Sequence, residues 1–163
     1  MGERPEADLS DEALAAYRRD GALCLRGHFA DWLEPLRQGV ARNLAEPGPV
    51  ATDHDVAGQG RFFEDYCNWQ RIPEYRDFVL ESPAAPLAGR LMAARRVQIF
   101  HEHLFIKAPG TAKATPWHHD MPYYCVQGQQ VVSLWLALDP VPASTCPRFV
   151  AGSHLWDTLY APR

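Results

Sequence analysis

Leu33, Leu36, Val40 and Leu44 recur three, four and four positions apart, which places them on one face of a helix that Asp31 opens. Pro47-Gly48-Pro49 ends that helix, and residues 48–61 read as a polar loop. Upstream, Ser10 is placed to cap a shorter helix, with Asp11 and Glu12 in its first turn and Gly21 at its exit. The run ALCLRG at 22–27 has strand character. A third helix is expected from Ser82-Pro83, a capping residue followed by a proline suited to the first turn, with Leu87 and Leu91 turned inward.

After residue 95 the period changes from helical to two. Val97, Ile99, His101, His103, Phe105 and Lys107 fall on one side of an extended run; Gln98, Phe100, Glu102, Leu104 and Ile106 fall on the other. Pro109-Gly110 ends it. The run QVVSLWLALD at 130–139 puts Val131, Ser133, Trp135 and Ala137 on one side, and RFVAGSH at 148–154 reads as a further strand. Helices followed by short strands with Pro/Gly turns predict an α+β domain with a mainly β core, of barrel or jelly-roll type. The expectation is one domain over 1–163, helical over 1–94 and strand-based over 95–163, with no internal repeat.

Composition narrows the function classes. Forty-seven per cent of residues are hydrophobic and 22% charged, ordinary values for a globular domain. A net charge of -4 offers no basic face for nucleic acid. No apolar run is long enough to span a bilayer, and the acidic start MGERPEADLSDEA lacks the apolar segment of a signal peptide. Cys24, Cys67, Cys125 and Cys146 are scattered and form no C-x-x-C pair, so reduced thiols in a cytoplasmic protein are expected.

The densest chemistry lies in TPWHHDMPYY at 115–124. His118 and Asp120 are two apart, so on an extended segment they point the same way and reach one ion together. An imidazole and a carboxylate are two members of the 2-His-1-carboxylate set that leaves positions open on Fe(II). The competing reading is a surface turn with a satisfied histidine. HEH at 101–103 is not H-E-x-x-H, which excludes a zincin.

In order along the chain, LSDEALAAYRRDGALCLRG, HEHLFIKAPG, TPWHHDMPYY, VSLWLALDPV and RFVAGSH resemble the phytanoyl-CoA dioxygenase family of Fe(II)/2-oxoglutarate-dependent oxygenases, over residues 9–160. The resemblance implies a double-stranded β-helix (jelly roll, cupin-like) behind N-terminal helices. It implies Fe(II) as cofactor, 2-oxoglutarate and O2 as cosubstrates, and hydroxylation of a small organic molecule with release of succinate and CO2. His118 and Asp120 match the first two iron ligands. His119 stands where the family often has a glutamine that contacts 2-oxoglutarate, and Trp135 matches a tryptophan lying against it; core packing is the other role open to Trp135. His103 falls on a strand that lines the cosubstrate pocket. Lys107 offers a cation to a dicarboxylate or simply reaches solvent. Tyr123 and Tyr124 wall the substrate pocket or pack in the core. His154, in G-S-H, resembles a motif that closes a strand.

The family's third ligand is a histidine well downstream of H-x-D, followed by an arginine that anchors 2-oxoglutarate. Forty-three residues follow Asp120, and His154 is their sole histidine. The expectation is therefore a jelly roll incomplete at its C-terminal end, with Fe(II) weakly held and little turnover by residues 1–163. Two other readings stay open: a non-catalytic jelly-roll protein, and a zinc-binding cupin-like protein using His118, Asp120 and one of His101 or His103.

Overall fold

The computed structural model describes residues 9–54, 60–111 and 114–160. They form two compact units, residues 9–28 with 83–97 and 116–160, and residues 29–54 and 60–82 with 98–111 and 114–115, so each unit takes residues from both sides of position 95.

The first unit holds helices α1 (Asp11–Asp20) and α4 (Ala84–Met92). Ser10 caps α1 as its sequence predicts: its Oγ accepts the Ala13 N–H at 3.1 Å, and Gly21 closes the helix at φ 79°, where a side chain would be strained. Helix α4 begins one residue later than expected, with Pro83 at the cap. Leu87 and Leu91 are buried, alongside Ala84, Ala88 and Leu9. Arg90 donates to the Leu9 carbonyl at 2.7 Å and ties the chain ahead of α1 to α4.

The second unit packs α2 (Leu33–Ala45) and α3 (Pro73–Glu81) with an antiparallel sheet of order β1-β2-β3, spanning Thr52–Asp53, Phe62–Tyr66 and His103–Lys107. A 3-10 turn at Ala30–Trp32 leads into α2, whose buried positions are Leu36, Gly39 and Asn43. The buried seam is thus rotated from the leucine face, because Gly39 lets the Tyr75 ring of α3 approach closely. Arg42 and Glu74 pair across these helices at 2.9 Å. On the sheet, Phe63 pairs with Ile106 and Asp65 with Leu104, and Phe63 and Asp65 are both buried. Asp65 survives burial because Asn43 and the Gly48 N–H each donate to it at 2.7 Å. Burial pushes its carboxyl up, but hydrogen bonds from Gly48, Asn43, Asn68 and Tyr66 outweigh that and hold it below the ordinary carboxylate range.

Three expectations change. Residues 22–25 are irregular, and the strand expected over 97–107 is limited to His103–Lys107. The runs at 130–139 and 148–154 form no strand; a 3-10 turn occupies Ser153–Leu155. Period-two patterning makes a strand only when a neighbour supplies the ladder, and among the described residues these segments have no such partner. Several of their large side chains stay exposed, Phe149 at 67% and Trp135 at 45%. Strand β2 and helix α3, by contrast, lie in a stretch whose sequence pattern predicts no element. The described architecture is helices with a small antiparallel sheet, and none of its helices is long and apolar enough to cross a membrane.

Candidate metal centre

Residues 114–119 are irregular, the chain bends at Asp120, and a 3-10 turn follows at Met121–Tyr123. Asp120 has φ -71° and ψ -36°, so it is helical rather than extended, and the expected parity of an extended segment does not apply. The bend nonetheless brings the two side chains together. Nε2 of His118 lies 3.3 Å from Oδ1 of Asp120.

The other end of each side chain is also held. Nδ1 of His118 lies 2.8 Å from the Pro116 carbonyl. A carbonyl only accepts, so Nδ1 carries a proton, and Nε2 is the ring atom turned toward the carboxylate. A cation between Nε2 and Oδ1, either a proton or a metal ion, satisfies both atoms. Oδ2 of Asp120 accepts from Ser133 Oγ at 3.2 Å and from Tyr124 OH at 3.4 Å. These are long hydroxyl–carboxylate bonds, as is common for site contacts before a ligand closes them. Burial pushes the Tyr124 hydroxyl above its ordinary range; the Asp120 charge adds to that and the Ser133 hydrogen bond opposes it. Tyr124 therefore stays a donor at neutral pH. The Tyr123 ring stands edge-on to His118, with centroids 6.1 Å apart.

Two donors on a divalent first-row ion, each about 2.1 Å from it and at right angles, are about 3 Å apart. The His118–Asp120 separation fits that arrangement. Among the described residues, no group of three or more His, Cys, Asp or Glu side chains is arranged to hold a metal ion, so the pair has no third protein ligand there.

The other residues singled out in the sequence lie as follows. His119 has both ring nitrogens committed to backbone: Nδ1 accepts from the Tyr160 N–H at 3.0 Å and Nε2 lies 3.3 Å from the Ser153 carbonyl. Its own N–H donates to the Tyr160 carbonyl at 2.9 Å. A contact from His119 to 2-oxoglutarate would require one of these bonds to break. Trp135 is 45% exposed, which is not a core position. His154 donates to the Arg18 carbonyl at 3.1 Å at the end of α1.

His103 and Lys107 belong to the sheet unit, on the face opposite Phe63 and Asp65. Glu64 stands between two histidines there, 3.0 Å from His54 and 3.5 Å from His103, and Tyr66 stacks on His103. Burial lowers the His103 pKa, with His101 adding to that and Glu64 opposing it. Lys107 donates to Thr115 Oγ1 at 3.0 Å and lies over the Phe62 ring.

The Pro116 carbonyl is the partner that the sequence does not single out. Tyr124 had a usable signal, since it sits four residues past Asp120 across a Pro-containing turn. Strand parity puts Ser133 with Trp135 on the side expected to face His118, and its hydroxyl does reach Asp120, although the run forms no strand.

The family model for phytanoyl-CoA dioxygenase (PhyH) matches residues 17–163. No curated protein matches the chain. No solved structure matches it either.

Proposed function

Because the chain belongs to the phytanoyl-CoA dioxygenase family, we propose that it is an Fe(II)- and 2-oxoglutarate-dependent oxygenase in which His118 and Asp120 are two of the metal ligands. Family membership implies Fe(II)/2-oxoglutarate oxygenase chemistry in general; the ligand assignment and a small organic substrate are this reading's own. The observation that carries it is the 3.3 Å approach of His118 Nε2 to Asp120 Oδ1, with Nδ1 already spent on Pro116. A histidine ligand that donates its second N–H to a carbonyl is the usual outer-shell arrangement of metal sites. The jelly-roll fold is likewise proposed from the family, which is cupin-like.

When bound, iron with 2-oxoglutarate and O2 supplies the oxidising chemistry and releases succinate and CO2. This chain's residues supply placement. Pro116 fixes the His118 tautomer, Ser133 and Tyr124 hold Asp120, and Tyr123 borders the imidazole. For Trp135, His103 and Lys107 as cosubstrate contacts, the support is the resemblance of the surrounding motifs. The four cysteines are free thiols, which supports placement in the cytoplasm.

A second reading, a member of the family that binds a metal without turnover, is favoured by the lack of a third ligand among the described residues. Succinate formation from 2-oxoglutarate separates them. We expect slow formation that requires Fe(II) and is lost in His118→Ala and in Asp120→Ala. Formation that survives both substitutions would overturn the ligand assignment, and no Fe(II)-dependent succinate at all would favour the non-catalytic reading.

A further inference from the structure

Resting on the reading of His118 and Asp120 as metal ligands, we propose that Ser133 and Tyr124 are positioning residues that make Asp120 a one-oxygen ligand. A free carboxylate has two equivalent oxygens and can chelate an ion with both. Whatever completes the ligand set beside His118 and Asp120, a second carboxylate oxygen on the ion would occupy a position needed for the cosubstrate or O2. Something must therefore hold one oxygen away from the ion.

Packing does not do this, because the Asp120 side chain is 49% exposed. The hydroxyls do. Ser133 Oγ and Tyr124 OH converge on Oδ2 at 3.2 and 3.4 Å, and the two hydroxyl oxygens are 3.5 Å from each other. A carboxylate oxygen has two lone-pair sites and can accept from both hydroxyls, so Oδ2 is the oxygen they engage while Oδ1 faces His118. The backbone sets the geometry on one side. Tyr123 N–H donates to the Asp120 carbonyl at 2.9 Å and Tyr124 N–H to that of Met121 at 3.1 Å, which fixes Tyr124 across the turn from the carboxylate. Ser133 closes on Oδ2 from 13 residues further along the chain. The same logic governs the imidazole, where Pro116 holds the nitrogen that does not face the partner. Both ligands of the pair are thus reduced to one donor atom by a contact on the other.

The test uses the full chain and Co(II), a spectroscopic substitute for Fe(II), with 13C-labelled aspartate for infrared difference spectra. Wild type should show the wide splitting of carboxylate stretches that marks one-oxygen ligation. Ser133→Ala and Tyr124→Phe should each weaken Co(II) binding, and the double variant by about 10- to 100-fold, the range for loss of outer-shell partners. The double variant should also show the narrow splitting of two-oxygen ligation, while Ser133→Thr, which keeps the hydroxyl, should behave as wild type. Unchanged affinity and splitting in the double variant, with binding abolished in Asp120→Ala, would overturn the positioning role and leave the metal site standing. Undiminished Co(II) binding in both His118→Ala and Asp120→Ala would overturn the metal site and this proposal with it.

Discussion

His118 Nε2 stands 3.3 Å from Asp120 Oδ1, and each side chain is tethered through its other polar atom, His118 to Pro116 and Asp120 to Ser133 and Tyr124. A chance surface pair does not need such tethers. Exposed ion pairs contribute little, about 0–1 kcal/mol, and hold no fixed geometry. Here the geometry is fixed by three other residues while the facing donor atoms are left to each other, which suits a ligand pair better than a stabilising contact.

Two protein donors bind an ion far less tightly than three, and no third joins the pair among the described residues. Residues 1–163 should therefore bind Fe(II) weakly. Anaerobic titration with Fe(II) and 2-oxoglutarate should lack the visible band of a chelated cosubstrate. A strong band would mean that a further ligand is supplied from elsewhere in the protein or by a partner chain.

His119 should behave as an architectural residue. Its ring joins the Ser153 carbonyl to the Tyr160 N–H, and it stacks on Tyr160 at 5.8 Å between centroids. His119→Ala should cost about 1–2 kcal/mol, visible as a lowered Tm, and leave 2-oxoglutarate affinity in the presence of Mn(II) unchanged. An unchanged Tm with weakened 2-oxoglutarate binding would assign it to the cosubstrate instead.

Much of the local structure was legible because its signals are local. Ser10 with Gly21, and Ser82-Pro83 ahead of Leu87 and Leu91, mark helix ends and buried faces within a few residues. His118 and Asp120 were legible for the same reason, being two residues apart. Strand β2 was not, because its buried face carries Phe63 and Asp65, and an aspartate at a core position breaks apolar alternation. Helix α3 starts after Ile72 with no side-chain cap. The Val131–Ala137 run shows the opposite failure: its pattern is strand-like, but a ladder depends on a neighbour that no local pattern reveals. Ser133 reaches Asp120 across 13 residues, and Pro116 acts through its backbone, which carries no sequence signature.

Asp65 should make the sheet unit acid-labile. Its folded carboxyl lies below the ordinary range, while in the unfolded chain it titrates near about 3.9. The stability it contributes is complete above that value and is lost as pH falls through it toward the lower folded value. Urea midpoints should drop steeply below about pH 4, beyond the loss that the lowered His103 pKa brings as pH falls below about 6.5. Asp65→Asn should lower stability at pH 7 by about 1–3 kcal/mol and flatten the acid limb. An acid limb as steep in the variant as in wild type would assign the lability to other carboxylates.

A divalent ion bound between His118 and Asp120 should reveal itself in paramagnetic broadening of histidine ring signals by Mn(II), a measurement that needs neither turnover nor a third ligand. On titration the His118 ring should broaden first, with His54, His101 and His103 little affected, and Asp120→Ala should abolish the selectivity. Broadening that begins at His54 and His103, the two histidines flanking Glu64, or that touches all rings alike, would rule out a metal site at His118 and Asp120.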